Sequence, residues 1–345
     1  MYFQTLDDKR KCVGIYKEGK LHFDSMPSDL RRTWSFTGSI EDKNVEYAQI
    51  YASGKSLEEA CPEEHKEELK ESQKKFDSCV KSFATAKIDP RDHCLFDMIP
   101  QRFLMQFCEI RNKITKHVFE NYEKPRNYNL LCDSYKLLHK IKYQNLNLNT
   151  DNCRELLLST KNRDKVASLL KSRYVSYNLF GAATGRLTTH QKSFPILSVR
   201  KDFRKLIKPN NDWFLQLDYN SADVRTFINL IGQEQPEGDV HEWNVKNLFN
   251  SKCTREEAKV KFFAWLFNPD SNAVENERYK RDKILDRWYN GGFISNPYKR
   301  RIKVEQRKAL SYLVQSTTND RILDRALEID QILEGRKSYI SFSSY

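Results

Sequence analysis

The sequence predicts an α+β fold, and three observations carry that expectation. Residues 1 to about 55 break into short β-branched and aromatic runs, CVGIYKEGKLHFD, TWSFTGSI and EYAQIYAS, separated by turn formers such as Glu18-Gly19-Lys20. That is the pattern of a small antiparallel sheet. The stretches from 56 to about 175 instead place apolar residues at helical spacing. A partly alternating apolar run, Trp213 to Asp218, then leads into a segment patterned as a helix.

After the N-terminal strands, residues 56 to 86 are dense in Glu, Lys and Ala, with opposite charges three or four apart, as on solvated helical faces. From Phe96 to Glu120, Phe103, Phe107, Ile110 and Ile114 recur at helical spacing, and Pro125 ends the run. This aromatic stripe reads as packing core rather than as a ligand box. Helical patterns continue in SYKLLHKIKY and in RDKVASLLKSRYVSYNLF.

Composition bounds the function. At roughly 150 residues per domain, 345 residues make two or three domains. The 59 Lys and Arg against 47 Asp and Glu leave a net charge of +12, which suits polyanionic partners. The 20 Phe, 17 Tyr and 5 Trp supply apolar surface for real cores and argue against wholesale disorder. No stretch approaches the roughly 18 apolar residues of a membrane span, and MYFQTLDDKRKC has no apolar signal core. A soluble, cytoplasmic protein without a membrane partner is expected, in the host cell cytoplasm if the source is viral. The scattered Cys12, Cys61, Cys79, Cys94, Cys108, Cys132, Cys153 and Cys253 lack zinc spacing and read as reduced thiols. The common nucleotide-cradle, zincin and hydrolase signatures are absent.

Chemistry-bearing residues gather after Tyr177. In WFLQLDYNSADVR, a strand ending at Asp218 would set a carboxylate at a sheet edge, where its hard oxygen and the Tyr219 carbonyl suit Mg²⁺. An aspartate in that position is also a common turn or helix cap. In REEAKVKFFAWLF, Thr254 and Glu257 form a capping box for a helix over 255 to 267. Arg255, Lys259, Phe263 and Phe267 then follow every fourth position, about 40° apart around the axis and about 6 Å apart along it. Two cations followed by two rings suit a nucleoside triphosphate lying along the helix, phosphates first and base last. Spacing alone favours the plainer reading, an amphipathic helix whose Phe262, Phe263 and Leu266 fill a core. GAATGRLTT adds Arg186 between turn formers, and GDVHEWNVKNLF adds His241, which taken singly is an ordinary structural histidine. The basic tracts Arg278 to Lys283 and Lys299 to Arg301 read as solvated faces.

Taken in order, these segments resemble the polymerase domain of the DNA polymerase I family, called family A, in a bacteriophage-like version. The resemblance spans Tyr177 to about Ile329. Thr184-Gly185-Arg186 is similar to the family's TGR segment, whose arginine reaches the primer end and minor groove. DYNSADVR is similar to motif A, with Asp218 in place of the first metal-binding aspartate and Asp223 in place of the glutamate that excludes the ribose 2′-hydroxyl. Asp239-Val240-His241 resembles the DIH segment, whose histidine contacts the triphosphate. Arg255, Lys259 and Phe263 match motif B, with Phe267 where tyrosine is usual. Arg307 and Gln315-Ser316-Thr317-Thr318-Asn319-Asp320 resemble the later arginine and the QGTAAD-like segment.

The resemblance implies a right-hand polymerase: a palm with an antiparallel sheet, a helical thumb and fingers, and a small N-terminal β/α region. The divisions it implies are 1–90 (accessory, without exonuclease motifs), 91–175 (thumb-like), 176–232 (palm), 233–296 (fingers) and 297–345 (palm return). It implies template-directed DNA synthesis from dNTPs onto a primer 3′-hydroxyl by nucleotidyl transfer with two Mg²⁺ ions. Asp218 and Lys259 are the implied catalytic residues. Arg255, Lys259, Phe263, His241 and Asp223 would hold the dNTP, while Arg186, Phe267, Arg307 and Gln315 would contact primer-template DNA. Asp218 and the Tyr219 carbonyl would ligate metal.

The chain also departs from the family. Asp223 is a methylene shorter than glutamate, Ala264 replaces a glycine, and SFPILSVR stands where a QNIP-like stretch is usual. SYISFSSY stops at Tyr345 where a strand leading to the family's His-Asp motif C would begin. The expectation is therefore a split or truncated enzyme, weak or inactive without a C-terminal fragment carrying the second catalytic aspartate. A non-catalytic DNA-binding relic and a single-subunit RNA polymerase relative are the alternatives.

Overall fold

A computed structural model of the chain describes residues 1–345 except 6–13, 24, 42, 90–92, 152, 269–278, 280–281 and 344–345. The chain is a mixture of helices and short strands, in two compact units, Met1–Lys140 and Ile141–Tyr345.

Unit 1 opens with the expected antiparallel sheet, Phe3–Thr5, Gly14–Lys17 and Lys20–Phe23, in sequence order. Glu18 and Gly19 both take positive φ, 49° and 77°, which gives a two-residue turn whose twist matches its flanking strands. The charge-rich segment forms the helix Lys66–Thr85, and the aromatic stripe forms Gln101–Asn121. Phe76 of the first stacks on Phe107 of the second at 4.4 Å, and Ile110, Ile114 and Val118 are buried against Trp34, Leu57 and Leu69. The stripe is core, as expected. Gln4 fastens the sheet to this helix through Asn112 and Thr115, at 2.9 and 3.0 Å.

Unit 2 is organised on the 28-residue helix Gln306–Leu333. The helices Ala222–Leu230 and Arg255–Phe267 pack on it, and their Phe227, Phe262 and Trp265 join Leu313 and Val314 in one core. A sheet of Tyr289–Asn290, Phe293–Ser295 and Arg301–Lys303 closes this core with Ile294 paired to Ile302. Gly291 and Gly292, at φ 57° and 80°, make its tight hairpin.

Two expectations of secondary structure change. The helical pattern RDKVASLLKSRYVSYNLF yields a helix only over Thr160–Leu169. Beyond it Val175, Tyr177 and Leu179 are buried at period two, and Tyr177–Asn178 pairs with Thr188–Thr189. The run Trp213 to Asp218 belongs to no strand ladder, and residues 211–220 are all exposed. A β pattern becomes a strand only with a neighbour to take its backbone hydrogen bonds, and among the described residues 213–219 have none.

Cys61, Cys79, Cys108, Cys132, Cys153 and Cys253 are free, whereas Cys94 is disulfide-bonded, which corrects the expectation of reduced thiols at that position. Among the described residues no helix is long and apolar enough to cross a membrane.

Candidate functional site

The helix Arg255–Phe267 begins as its sequence dictates. The Thr254 hydroxyl accepts from the Glu257 N–H at 3.3 Å, and the Glu257 carboxylate accepts from the Thr254 N–H at 2.8 Å. Its two faces then divide the two readings of the sequence. Ala258, Phe262, Trp265 and Leu266 are buried in the core, whereas Lys259 and Phe267 are exposed and Arg255 and Phe263 half-buried. Phe263 and Phe267 stack at 5.8 Å with their planes 17° apart. The core reading holds for Phe262 and Leu266, with Phe263 at the margin, and the outer face carries the cation, cation, ring, ring order.

Asp239 joins this helix to its neighbour. As N-cap of Val240–Asn247, its carboxylate accepts from the N–H groups of His241 and Glu242 at 2.8 and 3.0 Å, and from Arg255 Nη2 at 2.6 Å. Arg255 also donates to Glu256, so its guanidinium is occupied. Lys259 has no ion-pair partner among the described residues, which leaves it as the cation of this face open to a ligand. His241 is 2% exposed, with its ring centroid 6.0 Å from that of Phe263. Burial first, then Arg255 and Lys259, push its imidazole below the ordinary histidine range against the pull of Asp239, so it is neutral at pH 7. Its Nδ1 is buried without a hydrogen-bond partner among the described residues.

The Arg255 hydrogen bond, with the two backbone donors and against some loss of solvation, holds the Asp239 carboxyl down to about 2. A depressed carboxyl contributes stability that is complete above its unfolded value near 4 and is lost as pH falls through its folded value. The chain is therefore expected to lose on the order of 1 kcal/mol between about pH 4 and 2 from this solvent-open pair. Asp239→Asn, which keeps the cap but not the charge, should flatten that part of the profile in urea unfolding. An unchanged pH dependence would show that Asp239 does not titrate in this linkage.

A second cluster forms on the helix Ala222–Leu230. Asp223, in its first turn, accepts from Arg186 Nη2 at 3.2 Å, while its other oxygen is buried without a partner among the described residues. The loop that carries Arg186 rests on another arginine. Gly185 has φ 80°, and a Cβ there would stand 2.6 Å from Arg300 Cζ. Arg300 in turn donates to Asp320, with Nη2 to Oδ1 at 2.6 Å and Nε to Oδ2 at 2.9 Å. Asn296 completes the network by donating to Asp320 at 2.8 Å and accepting from the Arg300 N–H at 2.9 Å.

Arg300 was expected on a solvated face and is instead buried, which corrects that reading of Lys299 to Arg301. The signal was Asp320: a carboxylate within a helical stretch that also buries Ser316 to Asn319 needs a buried cation. Arg301, by contrast, is exposed and lies over the Phe293 ring. Of the other basic tract, 278, 280 and 281 lie outside the described residues, and Lys283 is exposed. Arg225 was also missed. It donates to the carbonyls of Asn220, Pro236 and Gly238 and so fixes the loop before His241 to the helix of Asp223.

The remaining candidates are less integrated. Asp218 is exposed on the unpaired 213–219 segment, and the hydroxyl of exposed Tyr219 hydrogen-bonds to Arg321. Arg307 is exposed, and Gln315 donates to the Ser311 hydroxyl at 3.3 Å. Among the described residues no three or more His, Cys, Asp or Glu side chains gather as a metal site. One exposed carboxylate and one carbonyl are a poor fit for two divalent ions. The segment 337–343 runs beside 210–214: Asn211 donates to the Lys337 carbonyl at 2.9 Å, and Phe214 meets Phe342 at 5.9 Å.

No protein-family model matches the chain, and no curated protein matches it. Among solved structures the chain is similar to the polymerase domain of Pol1 from M. smegmatis, determined in complex with a DNA primer-template and dNTP. That similarity has 13% sequence identity and a TM-score of 0.48, and covers 72% of this chain and 69% of the other.

Proposed function

We propose that the chain performs template-directed DNA synthesis as the nucleotide- and primer-handling part of a polymerase, acting with a polypeptide that supplies further carboxylates. The observation that carries the proposal is the outer face of Arg255–Phe267: an open ammonium, Lys259, one turn before the stacked rings of Phe263 and Phe267 and near the neutral, buried His241. In this reading Lys259 offsets phosphate charge, the rings carry sugar and base, and Asp239 holds Arg255 and the His241 helix in register. Asp223, tied to Arg186, guards the 2′ position, and Arg186, Phe267, Arg307 and Gln315 face the primer-template. Residues 91–175 serve as thumb, 233–296 as fingers, and 176–232 with 297–345 as palm.

Mg²⁺ supplies the activation of the 3′-hydroxyl in such a reaction. Asp218 and the Tyr219 carbonyl are too few donors for two ions, so the metal-dependent step requires the completed assembly. A second polypeptide is supported by the segment 213–219. Trp213, Leu215 and Leu217 are 87, 84 and 65% exposed, and among the described residues the backbone groups between them are unpaired. Large apolar side chains exposed together in this way are the kind of surface a second polypeptide covers, and the proposed partner enters there.

The test is dNTP binding to the chain on a chain-terminated primer-template with Mg²⁺. The matched nucleotide should bind better than mismatched ones, and Lys259→Ala should weaken it at least tenfold, about 1.4 kcal/mol. Equal binding of matched and mismatched dNTP, or no effect of Lys259→Ala, would favour the non-catalytic relic. Vigorous primer extension by the chain alone would contradict the carboxylate shortage.

A further inference from the structure

Unit 1 holds a concentration of positive charge apart from the side chains described in unit 2. Residues 31–32 and 43–46, with Lys124 and the helix Tyr128–Lys142, wall an open cavity of about 910 Å³. Among the described residues five cationic side chains line it, Arg31, Arg32, Lys43, Lys124 and Lys136, against two carboxylates, Glu46 and Asp133. The cations differ in how they are held. Glu46 accepts from Lys124 at 2.6 Å and pairs with Arg32 at 3.4 Å. Arg32 also lies 4.7 Å over the Phe119 ring, and Lys124 lies 4.4 Å over the Tyr128 ring. Burial opposes ionisation of Glu46, but Lys124, Tyr51 and Arg32 outweigh it and keep its carboxyl below the usual range. Arg32 and Lys124 are therefore fixed in the wall.

Arg31, Lys43 and Lys136 have no ion-pair partner among the described residues, and Arg31 and Lys43 are exposed. Like charges gathered at a concave surface repel one another, and the field they focus is satisfied by an anion. The polar wall, with Asn44 and Asn129 beside the cations, excludes a mainly apolar ligand. The cavity is also far larger than a single phosphate requires.

We propose that this cavity binds the phosphodiester backbone of a nucleic-acid strand. Arg31, Lys43 and Lys136 contact phosphate oxygens, and Arg32 and Lys124 form a fixed cationic floor. Lys124 and Lys136 lie within 91–175, the thumb of the proposed function, but the contacts assigned to them here rest on unit 1 alone and stand whether or not unit 2 handles a nucleotide.

The test uses the full chain and a fluorescent single-stranded oligonucleotide, titrated by anisotropy at several salt concentrations. The variant Arg31→Gln/Lys43→Gln/Lys136→Gln should bind about tenfold or more weakly. Its slope of log K against log salt should be shallower by about two, since each single-strand contact contributes roughly 0.7. Lys74→Gln, at an exposed lysine of the charge-rich helix Lys66–Thr85, run in parallel, should bind within twofold of the original and keep its salt slope. A lysine-acetylation footprint of the unaltered chain gives a readout independent of the variant's folding. The oligonucleotide should protect Lys43 and Lys136, and inorganic phosphate at equal phosphate concentration should not. Variant binding within twofold of the original, or full reactivity of both lysines under the oligonucleotide, overturns the proposal. Equal protection by inorganic phosphate overturns the nucleic-acid assignment and marks a free-phosphate site.

Discussion

Asp320→Ala is expected to destabilise unit 2 by about 3–5 kcal/mol. Asp320 is fully buried and takes three donor contacts from Arg300 and one from Asn296. Removing it leaves a guanidinium in the interior without its counter-charge, which costs far more than the pair contributes relative to apolar residues of the same shape. The same reasoning predicts that Arg300→Met/Asp320→Leu recovers much of the loss, because neither charge is then stranded. Urea unfolding followed by far-UV circular dichroism measures both. A loss below about 1 kcal/mol in the single variant would mean that Arg300 escapes to water, and the account of the Gly185 loop resting on it would fail with it.

Phe262→Ala and Phe263→Ala, adjacent in sequence, are expected to separate stability from ligand binding. Phe262 is fully buried and meets Phe227, Trp265 and Tyr279 at centroid distances of 6.3, 5.4 and 5.3 Å. Its removal opens a cavity among rings that cannot collapse freely, at a cost of about 3–5 kcal/mol. Phe263 is only half-buried and stacks on exposed Phe267, so its truncation should cost about 1 kcal/mol. In the proposed function it should nonetheless weaken dNTP binding at least tenfold, whereas Phe262→Ala acts through unfolding. Denaturant midpoints alongside nucleotide titrations distinguish the two, and equal stability losses would undo the division of the helix into two faces.

Elements specified by neighbours in sequence were legible. The capping box of Thr254 and Glu257, the apolar face of Gln101–Asn121 and the Glu18-Gly19 hairpin each depend on residues a few positions apart, and all three form as their patterns require. The four-residue repeat of Arg255, Lys259, Phe263 and Phe267 was legible for the same reason. Its meaning was not, because which stripe of a helix meets the core is decided by the helices packed against it. Val175 to Leu179 misled because a helical pattern ran straight into one that alternates and pairs as a strand.

The sequence by itself determined the local order of unit 2: where its helices begin, which of their residues are apolar, and the succession of chemistry-bearing side chains from Arg186 to Gln315. Only the tertiary structure decided that Arg300 is buried on Asp320, that Arg255 is spent on Asp239 while Lys259 is exposed, and that 213–219 joins no sheet among the described residues. The physical reason is range. Caps and helical periodicity close within one or two turns of chain, whereas a counter-ion 20 residues away or a neighbouring strand exists only once distant segments have packed.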